Sequence, residues 1–172
     1  MKLVLVTTLF FVFCFTLQAQ ENPVFTITGG YMYLNADQHA ATRASFSGWY
    51  VIPEYHVTKS WSVIAEATGF TGSPVGKSTN VHSYTAGPVY AIDTKTRITP
   101  FFFGEVGDAR TSQAGSVNHA FALVAGLGAN VKLVKRVSLQ LIPGEYILTT
   151  PAHGALHNYG AHVGLAFDFG SK

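Results

Sequence analysis

Charge is scarce in this sequence. Acidic and basic residues make up 12% of the 172-residue chain, against roughly a quarter in soluble domains. The nine acidic and eleven basic side chains are scattered rather than gathered into a stripe, so no nucleic acid partner is expected. Cysteine is nearly missing too. Cys14 is the only one. It lies in the N-terminal apolar run behind Phe13, without the small residue that precedes a lipidated cysteine. Disulfides, thiol catalysis and cysteine metal sites are therefore excluded from the rest of the chain. Long apolar runs are absent after residue 20, which rules out a membrane-spanning helix of about 20 residues. No phosphate loop, zinc-helix motif or dinucleotide fingerprint occurs, so no cofactor is expected.

What is present begins with an export signal. Met1 and Lys2 give a basic start, Leu3 to Phe15 are apolar apart from two threonines, and Leu17-Gln18-Ala19 ends on a small residue. Residues 1–19 read as a cleaved signal peptide, and the apolar core is too short for an anchor helix. Residues 20–172 then form a single domain.

The signal that dominates the remainder is an alternation of period two. From His157 to Gly170, Ala161, Val163, Leu165, Phe167 and Phe169 share one face, while His162, Gly164, Ala166 and Asp168 occupy the other. A strand with lipid on its outer side and water or packed polar groups on its inner side has this composition. Candidate strands fall at 22–34, 45–57, 61–71, 80–92, 97–107, 119–131, 136–148 and 157–169, of the length that crosses a bilayer when tilted. Without apolar helices, only a closed barrel satisfies the backbone in lipid. The predicted fold is all-β, an eight-stranded antiparallel up-and-down transmembrane β-barrel. Short turns at 58–60, 93–96 and 132–135 alternate with polar connections at 35–44, 72–79, 108–118 and 149–156. This places both termini in the periplasm of a bacterium with an outer membrane, and the four longer connections outside.

The faces then follow strand by strand. Phe25, Ile27, Tyr31 and Tyr33 oppose Thr26, Thr28 and Gly30, and Trp49, Val51, Tyr55 and Val57 oppose Gly48, Tyr50, Glu54 and His56. Strand five resists assignment, because Phe101, Phe102 and Phe103 are consecutive and at least one ring must point inward. Aromatics near strand ends, Tyr31, Tyr33, Trp49, Trp61, Tyr90, Tyr159, Phe167 and Phe169, are expected to form the interfacial girdles. Carboxylates in mid-strand are costly in lipid, so a polar lumen network of Glu54, His56, Glu105, Gln140, Glu145 and His162 is expected. Pro143-Gly144 reads as a bulge that lets Gln140 and Glu145 both face inward and brings Glu145 near His162.

Several segments carry a resemblance. Arg97-Ile98-Thr99-Pro100-Phe101, Thr85-Ala86-Gly87-Pro88-Val89-Tyr90 and Arg136-Val137-Ser138-Leu139-Gln140-Leu141-Ile142-Pro143-Gly144-Glu145-Tyr146 resemble the small outer membrane barrel domains of the OmpA and OmpX type. The likeness runs from about Val24 to Gly170. It implies a structural, adhesive or stress-related surface protein of the Gram-negative cell envelope. That family often carries basic residues inside strand seven and after Gly-Pro in strand four, where this chain has Gln140 and Val89.

Function is read accordingly as non-catalytic: a structural, adhesive or surface-protective role through the outer connections. The expected partners are outer membrane lipids and lipopolysaccharide, the barrel assembly machinery during insertion, and a host or surface ligand at 35–44, 72–79, 108–118 and 149–156. The alternative is a narrow proton- or cation-conducting or regulated pore using the acidic lumen; a soluble lipocalin-like barrel needs the opposite faces. A rim metal site would draw on His39, His119, His153 and His157, but flexible loops do not preorganise ligands and none is assigned. His82 and Ser83 are adjacent and point to opposite faces of a strand, so they do not pair as base and nucleophile.

Overall fold

The computed structural model describes residues 24–38, 42–73, 78–94, 96–113, 116–151 and 154–170. The signal segment with Cys14, the first residues assigned to strand one, and His39 and His153 lie outside the described residues.

The eight strands are β1 (Phe25–Asp37), β2 (Arg43–His56), β3 (Trp61–Gly72), β4 (Thr79–Ala91), β5 (Ile98–Gln113), β6 (Ser116–Val134), β7 (Val137–Thr150) and β8 (Leu156–Phe169). Each pairs antiparallel with its neighbours in chain order, and β8 returns to β1 to close the barrel. Closure leaves no strand edge unpaired, as a backbone in hydrocarbon requires. The apolar positions of β1, β2, β6 and β8 alternate at period two, so one register puts each apolar set on a single face. That face is the outside. Tyr31, Trp49, Val63, Phe102, Leu127 and Val163 are exposed there, whereas Thr28, Tyr50, Thr68, Ile142 and His162 are buried within.

Narrowness dictates the inner composition, since the lumen of an eight-stranded barrel just admits its own side chains. Large inner residues face glycines on the next strand. A Cβ added to Gly126 would meet the Phe103 ring at 2.6 Å, and one added to Gly128 would meet the Phe101 ring at 2.6 Å. Strand five is thereby resolved. Phe101 and Phe103 point inward against these glycines, and Phe102 points out.

The connections are short at the end where the described residues begin with Val24 and finish with Gly170, called the turn end here. Thr58 Oγ1 accepts from the backbone N–H of Ser60 and Trp61, and Lys135-Arg136 joins β6 to β7 with Arg136 at φ 73°. At the opposite, loop end the strands run further than the sequence indicates. The stretch 108–118, read as a loop, is mostly a continued ladder from Asp108↔Phe121 to Gln113↔Ser116. Asn35–Asp37 and Thr149–Thr150 are also strand. Polarity marks the end of the apolar outer face rather than the end of pairing, because hydrogen bonding continues as well in water.

β7 carries the irregularity predicted at Pro143-Gly144. Its register shifts between Ile142 and Glu145 against β8 and between Leu127 and Ala129 against β6. Pro143 and Gly144 are exposed, while Gln140 and Glu145 are both buried.

Candidate functional site

The inner face holds two polar clusters at different depths. Nearest the turn end, β1, β2, β3 and β8 bring Thr26, His56, Ser62 and Asp168 together. Thr26 donates to Asp168 Oδ1 at 2.8 Å, so its oxygen is left to accept from His56 Nε2 at 2.9 Å. That assigns the imidazole proton to Nε2, and Nδ1 accepts from the Ser62 hydroxyl at 2.9 Å. Glu54 Oε1 lies 3.6 Å from the same Nδ1, too far for a hydrogen bond. Thus Glu54 and His56 belong to the mouth of the barrel.

Deeper inside, β2, β3, β5, β7 and β8 contribute Tyr50, Glu66, Glu105, Gln140, Glu145 and His162, all buried. Glu145 Oε1 approaches His162 Nε2 to 3.0 Å, with both side chains essentially inaccessible. The approach is too oblique for a hydrogen bond, and neither atom has another. The His162 ring packs on Tyr50, centroids 4.6 Å apart, and Tyr50 reaches Gln140 Oε1 at 3.4 Å, a long contact. Glu105 Oε2 accepts from Thr85 at 2.6 Å. Sequence reasoning placed Glu54, His56, Glu105, Gln140, Glu145 and His162 in one set. The structure divides them by depth, and Tyr50 and Glu66, a mid-strand acid like the others, also belong to the deep group. The parity of β3 was the available signal for Glu66, since Ile64, Glu66 and Thr68 share its inner face.

Two larger cavities flank the deep group. One, of about 260 Å³, opens at the turn end and is lined among others by His56, Lys59, Phe101, Glu105, Asn130 and Asp168. The other, of about 380 Å³, opens at the loop end and is lined among others by Phe46, Thr79, Gln113, Pro151 and Asn158. They share no lining residue. A void of about 40 Å³ continues the loop-end cavity inward to Glu66 and Glu145, and it too shares no lining residue with the turn-end cavity. Buried Tyr50, Glu145 and His162 pack against one another in the deep group.

On the outer wall Tyr31, Tyr33, Trp49, Trp61, Tyr159, Phe167 and Phe169 are exposed. Tyr90 is half-buried between Trp61 and Phe102, at centroid distances of 5.0 and 5.2 Å. Near the loop end Arg43 lies over the Tyr159 ring at 5.1 Å and donates to the Asn35 side chain. His82, Arg110 and His119 stand in one cross-strand row. His119 contacts Asp108 at 2.8 Å, and His157 hydrogen-bonds Tyr146 on another part of the wall. Among the described residues no group of three or more His, Cys, Asp or Glu is assembled for a metal. Ser83 bonds Thr68 within the barrel while His82 is opposite Arg110, so the two neighbours do not meet.

No protein-family model matches the sequence, and the comparison with curated proteins gives no match. Solved structures do match. Neisserial surface protein A is similar with a TM-score of 0.75 at 14% identity, covering 84% of this chain and 97% of that one. The attachment invasion locus protein Ail of Yersinia pestis matches with a TM-score of 0.57 at 17% identity, over 85% and 99% of the two chains. The N-terminal barrel domain of Pseudomonas aeruginosa OprF matches with a TM-score of 0.54 at 13% identity, over 86% and 99%. The fold is that of the small eight-stranded outer membrane β-barrels.

Proposed function

We propose that this chain is an integral outer membrane protein, exported by a signal peptide at residues 1–19, with its termini in the periplasm and a structural, adhesive or surface-protective role at its loop end. The carrying observation is the outer wall. Large apolar side chains are exposed on every strand, a continuous apolar exterior that a water-soluble monomer does not tolerate. Lipid is its natural solvent, with the aromatics toward each end acting as girdles. Outer membrane lipids and lipopolysaccharide are the partners of this wall, and the barrel assembly machinery inserts it. The Ail protein, whose structure has also been determined with the heparin analogue sucrose octasulfate, supports a surface ligand as a partner for a barrel of this fold.

Heat modifiability tests the reading. The mature chain refolded in detergent should migrate faster on a gel unboiled than boiled, with a β-rich circular dichroism spectrum. A β-rich monomer soluble without detergent would refute it. Orientation has its own test, because the mature chain lacks cysteine. In intact cells a membrane-impermeant maleimide should label Ser73→Cys and not Lys59→Cys; the reverse pattern would invert the topology. The conducting alternative rests on the acidic lumen, but the burial of Tyr50, Glu145 and His162 inside it favours a plug. In the plug reading the deep polar group holds the barrel wall together, and planar bilayers should show no steady conductance.

A further inference from the structure

The two end cavities differ in one chemical respect. Among the described residues, none of the buried polar atoms lacking a hydrogen-bond partner belongs to a residue lining the loop-end cavity itself, those of Glu66 and Glu145 lying on the small void behind it. The turn-end cavity contains two such acceptors, Glu105 Oε1 and Asn130 Oδ1. Glu105 is only 2% exposed. Its other oxygen is held by Thr85, which fixes the carboxyl and leaves Oε1 as an acceptor in want of a donor. Such groups are rare in folded proteins and call for an explanation.

β5 supplies the profile of the cavity along its depth. Thr99, Phe101, Phe103 and Glu105 are successive inner residues, each about 6.8 Å further along the strand. Phe101 and Phe103 lie back against Gly128 and Gly126, which keeps their rings on the wall and leaves the centre open. Ile52, Ile64, Val89 and Ile142 complete an apolar sleeve. The cations of the lining are Lys59 and Lys132. Lys59 lies in the β2–β3 turn and Lys132 pairs with Ser138 in the last inner row, so both belong to the mouth.

We propose that this cavity binds a small primary amine carried on a compact apolar or aromatic body, its ammonium donating to Glu105 and its body lying against Phe101 and Phe103. A charge-assisted bond to a fixed carboxylate inside an apolar sleeve is the strong polar anchor such a site requires. At about 260 Å³ the cavity falls below the usual ~300–1,000 Å³ of sites for drug-sized ligands, which confines the occupant to smaller molecules. This inference concerns the lumen and does not rest on any role of the loops.

The test uses the isotope-labelled mature barrel in nanodiscs and three probes of similar size: 2-phenylethylamine, 2-phenylethanol and 3-phenylpropionate. Backbone amide shifts report where and how tightly each one binds. The amine should saturably shift the amides of Phe101, Phe103 and Glu105, the alcohol should bind at least tenfold more weakly, and the anion should leave these amides unmoved. Glu105→Gln, which keeps the shape and the Thr85 contact, should weaken the amine at least tenfold and leave the alcohol unchanged. Equal binding of all three probes, amine binding unaltered in Glu105→Gln, shifts confined to the outer wall, or no saturable shift at millimolar amine would each overturn the proposal. Should Glu105→Gln not fold, the probe series on the natural sequence decides, together with Phe101→Leu, which must weaken the amine.

Discussion

Phe102 and Phe103 are neighbours on one strand and meet opposite surroundings. Phe102 is 51% exposed on the outer wall and Phe103 is 6% exposed inside, against Gly126. In the proposed membrane setting the wall tolerates variety in shape, because lipid conforms to whatever side chain it meets, but it rejects charge. The lumen accepts carboxyls and imidazoles but leaves no slack where its large side chains meet glycines, as Phe103 meets Gly126. One surface is selected by polarity and the other by fit.

The largest effect that would break this contrast is steric. A Cβ built on Gly164 overlaps Tyr50 Oη and the Gly29 carbonyl, so Gly164→Val should abolish the boiling-sensitive folded band on a gel. Next comes polarity inside. His162→Leu leaves Glu145 buried without its neighbour and should destabilise the barrel. Urea unfolding in bilayers should show that loss, and the double change with Glu145→Leu should recover part of it. On the wall, Leu127→Arg near the middle of β6 should cost about 2–4 kcal/mol. Phe121→Arg, beside Asp108 near the loop end, should cost about 0–1 kcal/mol; equal costs would mean that depth in lipid does not govern the wall. The smallest effect belongs to neither surface. Arg136 holds φ 73° in the β6–β7 turn, and Arg136→Gly should change stability by less than about 1 kcal/mol, the relief of left-handed strain being offset by glycine's entropy and by the lost interaction of Arg136.

The strand count and the two faces were legible because period two repeats without interruption in β1, β2, β6 and β8. Three things were not. The parity of Phe101-Phe102-Phe103 is ambiguous within its own strand and is settled only by Gly126 and Gly128 on β6. The continuation of β5 and β6 through Asp108–Gln113 and Ser116–Asn118 carries no hydropathy signal, since Asp108, Arg110 and Ser112 on one face and Thr111, Gln113 and Asn118 on the other are all polar. Depth in the lumen is set by register between strands, so a list of inward residues does not reveal that His56 sits with Thr26 and Asp168 while His162 sits with Tyr50 and Glu145.

The seam between β1 and β8 joins Phe25 to Phe169 and Asn35 to Tyr159. Seven of the eight strand pairings connect neighbours in the chain, whereas this one brings together almost the whole sequence. Its loop-closure entropy is met in a single late step. Folding should therefore be all-or-none about the seam: a chain halted before β8 would hold seven strands with two exposed edges, each a template for pairing with another copy. The last strand is the one that turns an adhesive ribbon into a solitary molecule.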